Sequence, residues 1–273
     1  METASRNLIA NRINWPKGYC CPVCKSPLND EPRSRGRITC RHNGKGKPWE
    51  ETLTKGTLLE AAKRLFNWVL ATWCESRAEI PETAPTLEMR AGLSREASQR
   101  VLRVLQTAMQ RINRDLPDLE PQSKREIEAM APLAEGVEII IFTLYEMPLE
   151  SCGSRRKAKA KGEMERWVTG RIGEATTPKI QHVTSSRASD NLITRWKTYL
   201  ARFKTPPQRG DLPLLVAEFV FFENHRAVLA REQVFEKLVQ ALAAKPDYYP
   251  RVVPGTGRGF PTTPRVKPSE GCR

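Results

Sequence analysis

Cys20-Cys21-Pro22-Val23-Cys24-Lys25 and, further on, Ile38-Thr39-Cys40-Arg41-His42 are the residues of this chain best suited to chemistry. Two thiols separated by two residues on a tight turn supply adjacent corners of a zinc tetrahedron, and a second pair belongs roughly fifteen to twenty residues on. Cys21 and Cys24 have the first spacing, and Cys40 lies where the second pair begins. The position three after Cys40 is Asn43, a poor zinc ligand, so the fourth corner has two candidates: His42 is the nearer and Cys20 the next. The expectation is a structural zinc ribbon held by Cys21, Cys24, Cys40 and His42, with a three-ligand or metal-free remnant, or unrelated cysteines, as the alternatives. Arg33, Arg35, Arg37 and Arg41 fall within the loop such a ribbon closes, and Arg35 and Arg37 are candidates to meet phosphate.

Charge supports a phosphate-bearing partner. The 273 residues carry 45 Lys+Arg against 31 Asp+Glu, a net +14, which suits a polyanion bound through counterion release. Nucleic acid is therefore the first suspect. The seven cysteines are an odd number, and four of them crowd the first forty residues. A disulfide framework would spread pairs along a small secreted domain, so the distribution favours metal binding in a reducing compartment. No run approaches the length of a membrane span, and the amino-terminal residues lack the apolar core of a signal peptide. The expected setting is cytoplasmic and nucleoid-associated, with no membrane partner.

"LEMRAGLSREASQRVLRVL" offers a second kind of chemistry. Gly92 permits a turn, Ser94 can cap the helix after it, and the apolar residues that follow keep helical spacing. A helix-turn-helix makes these demands and lays its second helix in the major groove. The outward side chains of that helix are expected to be Arg95, Ser98, Gln99, Arg100 and Arg103, of which Arg and Gln can read base edges while others hold phosphate. The plainer alternative is a helical hairpin with a solvated basic face.

The elements that position these residues follow from composition and period. Residues 1–52 form the zinc-ribbon-like module, short of aliphatics and rich in Pro, Gly and Arg. Residues 53–115 form the helical DNA-binding region. It opens with an amphipathic helix carrying Leu58, Ala62, Leu65, Phe66, Val69, Leu70 and Trp73 on one face, which Pro81 and Pro85 interrupt. In residues 116–245 "GVEIIIFTLYEM" predicts a buried strand, the only one expected after the first fifty residues. Helices are expected from near Ala188 and, after Pro206-Pro207, from Leu212 to about Ala243. Residues 246–273, rich in Pro and Gly, are expected to be a disordered tail. His182 and His225 stand alone, and His225 within "FVFFENHR" reads as a packed or rim histidine and not as a ligand.

In this order the parts resemble zinc-ribbon insertion-sequence transposases of the DDE type, the ISXO-two-like group. A cysteine knuckle precedes Thr54-Lys55-Gly56-Thr57, a helix bearing Trp68, and the helix-turn-helix. Towards the other end, Asn191, Ile193, Trp196 and Leu200 match one family helix, and Glu218, Phe219, Phe221, Asn224 and Arg226 match its closing segment. The resemblance implies terminal-DNA binding and a ribonuclease-H-like core whose three acids hold two divalent ions. Those acids are missing. The strand "GVEIIIFTLYEM" has no aspartate, none occurs between Asp118 and Asp190, and Thr194 stands at the third position. Asp190 is displaced, and its expected role is to cap the helix that follows.

The fold expected is therefore mainly α with a small β component: a zinc ribbon, a helix-turn-helix, and a reduced remnant of a ribonuclease-H-like α/β core. The function expected is that of a DNA-binding regulator or accessory factor of a mobile element, without strand transfer, needing structural Zn²⁺ and no catalytic Mg²⁺. Its partners would be double-stranded DNA and either further copies of itself or a full-length transposase. Two alternatives remain: a metal-dependent transposase or nuclease using Glu138, Glu146 and Glu163 or Glu165, and a protein-interaction module.

Overall fold

The computed structural model describes residues 1–9, 19–20, 27–28, 37–40, 49–60, 62–114, 123–148, 164–173, 187–225 and 229–244. In chain order the described elements are α1 (Glu2–Ile9), β1 (Tyr19–Cys20), β2 (Pro27–Leu28), β3 (Arg37–Cys40), β4 (Trp49–Thr52), α2 (Leu65–Arg77), α3 (Ala84–Ala91), α4 (Arg95–Arg114), β5 (Ser123–Leu133), β6 (Gly136–Pro148), β7 (Met164–Ile172), α5 (Arg187–Ala201), a 3₁₀ turn (Arg209–Asp211), α6 (Leu212–His225) and α7 (Arg231–Ala243). The described part is thus mainly helical, with a three-strand antiparallel sheet and two small hairpins. The chain divides into two compact units, residues 1–69 with 242–273, and residues 70–241.

The first unit carries both hairpins. β1 pairs antiparallel with β2 (Tyr19↔Leu28), and β3 with β4 (Arg37↔Thr52, Cys40↔Trp49). The Thr54–Thr57 segment closes as a tight turn, in which the Thr57 amide and hydroxyl both donate to the Thr54 carbonyl, at 3.0 and 2.7 Å. Leu58 donates its amide to the Leu242 carbonyl at 3.1 Å instead of entering a helix. The long amphipathic helix expected from this region therefore begins only at Leu65, and Leu58 and Ala62 precede it. Its first turn is capped from a distance: the Glu2 carboxylate accepts the Leu65 and Phe66 amides at 3.1 and 2.8 Å. A negative charge there satisfies two orphan donors and complements the helix dipole.

The second unit is built on the sheet. β6 lies between β5 and β7, antiparallel to both. The strand expected from "GVEIIIFTLYEM" is β6, but β5 and β7 flank it, against the expectation of a single strand. β5 alternates buried Ile127, Ala129, Ala131 and Leu133 with exposed Lys124, Glu126, Glu128 and Met130, a period of two. Its alanines and Pro132 have poor strand propensity, and pairing with β6 along one edge overrides them.

Helices α5 and α6 cover the face of the sheet that carries Ile140, Phe142 and Leu144. Trp196 of α5 is fully buried there, edge-on to Phe142 and Phe219 with ring centres 5.4 and 5.0 Å away, and its indole N–H donates to the Met130 carbonyl at 3.2 Å. α6 approaches β7 so closely that a Cβ on Gly170 would stand 2.6 Å from Val216 Cγ1. Asn224 fixes that approach by bonding both ways to Val168, accepting its amide at 2.7 Å and donating to its carbonyl at 2.9 Å.

Two further expectations change. The helix expected over Leu212 to Ala243 is two helices, α6 and α7. Asp190 is the fourth residue of α5, which starts at Arg187, and so is not at the position before the helix that was expected of it.

Candidate nucleic-acid interface

Helices α3 and α4 form the expected pair. Pro85 begins α3 rather than breaking a longer helix, because its missing amide falls where no intrahelical partner exists. Thr83 precedes it and donates its amide to the Thr86 hydroxyl at 2.8 Å. Gly92 ends α3 at φ 62°, a left-handed conformation costly for a residue with a Cβ. Ser94 then starts α4, accepting the Ala97 amide on its hydroxyl at 3.3 Å.

Burial sorts the residues of α4. Val101, Leu105, Ala108 and Met109 are buried at helical spacing, and α4 packs on α3 and α6. Met109 joins a cluster with Phe221, Phe222, Val234 and Leu238, and Asn113 donates to the Ala217 carbonyl at 2.7 Å. Arg95, Gln99, Arg100 and Arg103 are exposed, as expected. Ser98 is not: it is fully buried, because it falls on the inward stripe three residues before Val101, and it cannot reach a ligand from there. Arg103 leans on Asp211 at 3.4 Å, an exposed pair of little strength. Neither Arg95 nor Arg100 forms a hydrogen bond or ion pair among the described residues. Glu96 is the acid of the first turn, where it complements the helix dipole.

Of the expected zinc ligands, Cys21, Cys24 and His42 lie outside the described residues, as does Arg35. Cys40 ends β3 and is buried, and Arg37 opens the same strand. In sequence, Cys21 and Cys24 fall between β1 and β2, and His42 between β3 and β4. Among the described residues no group of three or more His, Cys, Asp or Glu could hold a metal ion. His182, Glu163 and the tail from 246 also lie outside, and Glu165 is on β7.

Glu138 and Glu146 sit at opposite ends of β6, roughly 27 Å apart at a rise of about 3.4 Å per residue. Glu138 pairs with Arg209 at 2.8 Å. Glu146 accepts the Ser123 hydroxyl at 2.9 Å and has Arg166 and Arg125 at 3.5 and 3.9 Å. Two metal ions working on one phosphate stand about 4 Å apart, so these two carboxylates cannot serve one such site.

Two acids with no chemical role in the sequence pattern, Glu218 of the closing segment and Glu75, are buried among the helices. Glu218 of α6 and Glu75 of α2 are fully buried. Glu218 Oε2 accepts from three donors: the Tyr199 hydroxyl at 2.5 Å, Arg202 Nη2 at 2.5 Å and Gln106 Nε2 of α4 at 3.1 Å. Arg202 also stacks over the Tyr199 ring, 4.1 Å from its centre. Burial, and then the charge of Glu218, push the Tyr199 hydroxyl well above its usual range. Burial pulls the Arg202 guanidinium down, but the charge of Glu218 outweighs it and keeps the group charged. Glu75 Oε2 accepts the Glu82 amide at 3.0 Å, while the Glu82 carboxylate pairs with Arg90 of α3. A signal was present: Glu218 is a lone acid within the apolar run "LPLLVAEFVFF", and Glu75 falls in helical register with buried Ala71 and Ala78.

His225 is buried, as expected. Its ring meets Phe221 and Trp167, and burial followed by the charge of Lys237 lowers its pKa to about 4. No helix among the described residues is long and apolar enough to cross a membrane. Comparison with protein-family models, with curated proteins and with solved structures finds no match.

Proposed function

We propose that the chain is a double-stranded-DNA-binding protein derived from a zinc-ribbon DDE-type transposase, acting without strand transfer as a regulator or accessory factor of a mobile element. The observation that carries this reading is the outer face of α4: Arg95, Gln99, Arg100 and Arg103 exposed on a helix that follows a Gly92 turn and is packed along its other face. Residues near the start of such a helix reach base edges while its arginines hold phosphate. The net charge of +14 supplies the long-range attraction.

The two amino-terminal hairpins support the zinc-ribbon reading, because a ribbon carries its ligands at and beside the connections of paired hairpins: Cys21, Cys24 and His42 fall in those connections in sequence, and Cys40 ends β3. Thiolates with an imidazole suit zinc, and Cys21, Cys24, Cys40 and His42 would hold it, with Cys20 as the other fourth ligand. Zinc would supply a structural cross-link. The antiparallel sheet with α5 and α6 on one face supports a reduced ribonuclease-H-like remnant. The separation and arginine pairing of Glu138 and Glu146 weigh against the nuclease alternative.

The test is selection from random double-stranded DNA by the full chain, together with incubation on plasmid DNA in Mg²⁺ or Mn²⁺. Enrichment of a sequence and intact plasmid are the expected results. Selection without enrichment contradicts a sequence reader. Metal-dependent nicking that disappears in Glu138→Ala contradicts the non-catalytic assignment.

A further inference from the structure

Four helices of the second unit, and the segment that leads into one of them, bring charged groups to one buried place. α6 supplies Glu218, α5 and the residue after it supply Tyr199 and Arg202, the approach to α3 supplies Glu82, α3 supplies Arg90, and α2 supplies Glu75. Their charges can be counted. Arg202 is taken by Glu218 at 2.5 Å, and Arg90 by Glu82. Glu75, fully buried, has no cation of its own among the described residues. One of its oxygens accepts the Glu82 amide, and the other, Oε1, has no hydrogen-bond partner among the described residues. On Glu218, three donors converge on Oε2, and Oε1 is likewise without a hydrogen-bond partner among the described residues.

An isolated buried carboxylate is among the costliest groups a protein can hold, and the usual remedy is to take up a proton. A proton on Glu75 turns its orphan oxygen into a donor and removes the excess negative charge. We propose that Glu75 is a neutral carboxylic acid in the folded protein, and that its proton locks α2 and the start of α3 into this cluster, where Glu75 accepts the Glu82 amide and Arg202 reaches both Glu218 and the Glu82 carbonyl, the latter at 3.5 Å. Burial first, and the charge of Glu218 second, raise the Glu75 carboxyl well above the ordinary range, against the opposing pull of Arg202.

The lock makes the fold sensitive to alkaline pH. A carboxyl whose folded pKa is raised contributes its full stability below the unfolded value, ordinarily 4.5, and loses it as pH rises towards the folded value. Replacing Glu75 with Gln keeps the neutral shape and a donor while removing the ionisation. The lock is independent of any DNA reading, and its test uses none.

The experiment measures urea unfolding midpoints of the full chain across pH, with infrared detection of protonated carboxyl groups at neutral pH. The wild type is expected to show a protonated-carboxyl band and a midpoint that falls as pH rises above the ordinary carboxylate range. Glu75→Gln is expected to lose the band and to keep its midpoint over the same range. Glu218→Gln strips Arg202 of its counter-charge and is expected to lower the midpoint at every pH. Absence of the band in the wild type overturns the proposal, whatever the variants do. So does a Glu75→Gln midpoint that falls with pH as the wild type's does, or a Glu218→Gln midpoint no lower than that of Glu75→Gln.

Discussion

Arg100 on the outer face of α4 and Arg202, in the cluster that Gln106 enters from the inner face, carry the same guanidinium into opposite surroundings. Arg100 is exposed and has no partner among the described residues. The Arg202 side chain is 7% exposed, bound to Glu218 and stacked on Tyr199. The first contributes little to folding and is available to a ligand; the second is consumed by folding and available to nothing else. A basic chain therefore has two populations of arginine, and only the exposed one counts towards a phosphate surface.

Substitutions can break this contrast from the inside or the outside. The largest effect belongs to Arg202→Met, which strands the Glu218 charge in the interior and is expected to lower stability by about 3–5 kcal/mol in urea unfolding. Replacing Glu218 with Leu in the same chain is expected to recover most of that loss, because no uncompensated charge then remains. Next is Gln106→Leu, which removes one of three donors to Glu218 Oε2 and should cost about 1.5–3 kcal/mol by the same measurement.

His225 supplies a pH-dependent contrast with Glu75. Its folded pKa of about 4 lies below the ordinary 6.5, so its contribution is complete above the ordinary value and is lost as pH falls from there towards 4. Unfolding midpoints over that range should decline in the wild type and decline less in His225→Phe, which keeps an aromatic ring beside Phe221. The smallest effect on folding is expected outside: Arg95→Ala and Arg100→Ala should each leave stability within about 0.5 kcal/mol of the wild type.

Legibility in the sequence followed the same division. The α3–α4 pair could be read because Pro85, Gly92 and Ser94 punctuate it and local chemistry decides each position. β6 could be read because its apolar residues speak for themselves. β5 and β7 could not: an alanine-rich strand with a proline, and one containing Gly170, owe their existence to pairing with β6 and packing under α6. The break between α6 and α7 was missed because their combined apolar pattern is nearly continuous. Ser98 was placed outward by its residue type, although its register with Val101 and Leu105 puts it inward. The role of the buried acids was not legible because a metal-dependent core would place its carboxylates on a strand, whereas Glu218 and Glu75 lie in helices, the first paired with Arg202 and the second without a cation of its own among the described residues.

The most direct test of the central claim is the salt dependence of double-stranded-DNA affinity, measured for the wild type and for Arg95→Ala combined with Arg100→Ala. Affinity should fall steeply with salt, and the double variant should flatten the log–log slope by about two, roughly one per phosphate contact removed, with its unfolding midpoint unchanged. An identical slope in the two proteins, or no salt-dependent DNA affinity at all, would contradict α4 as the DNA-binding face.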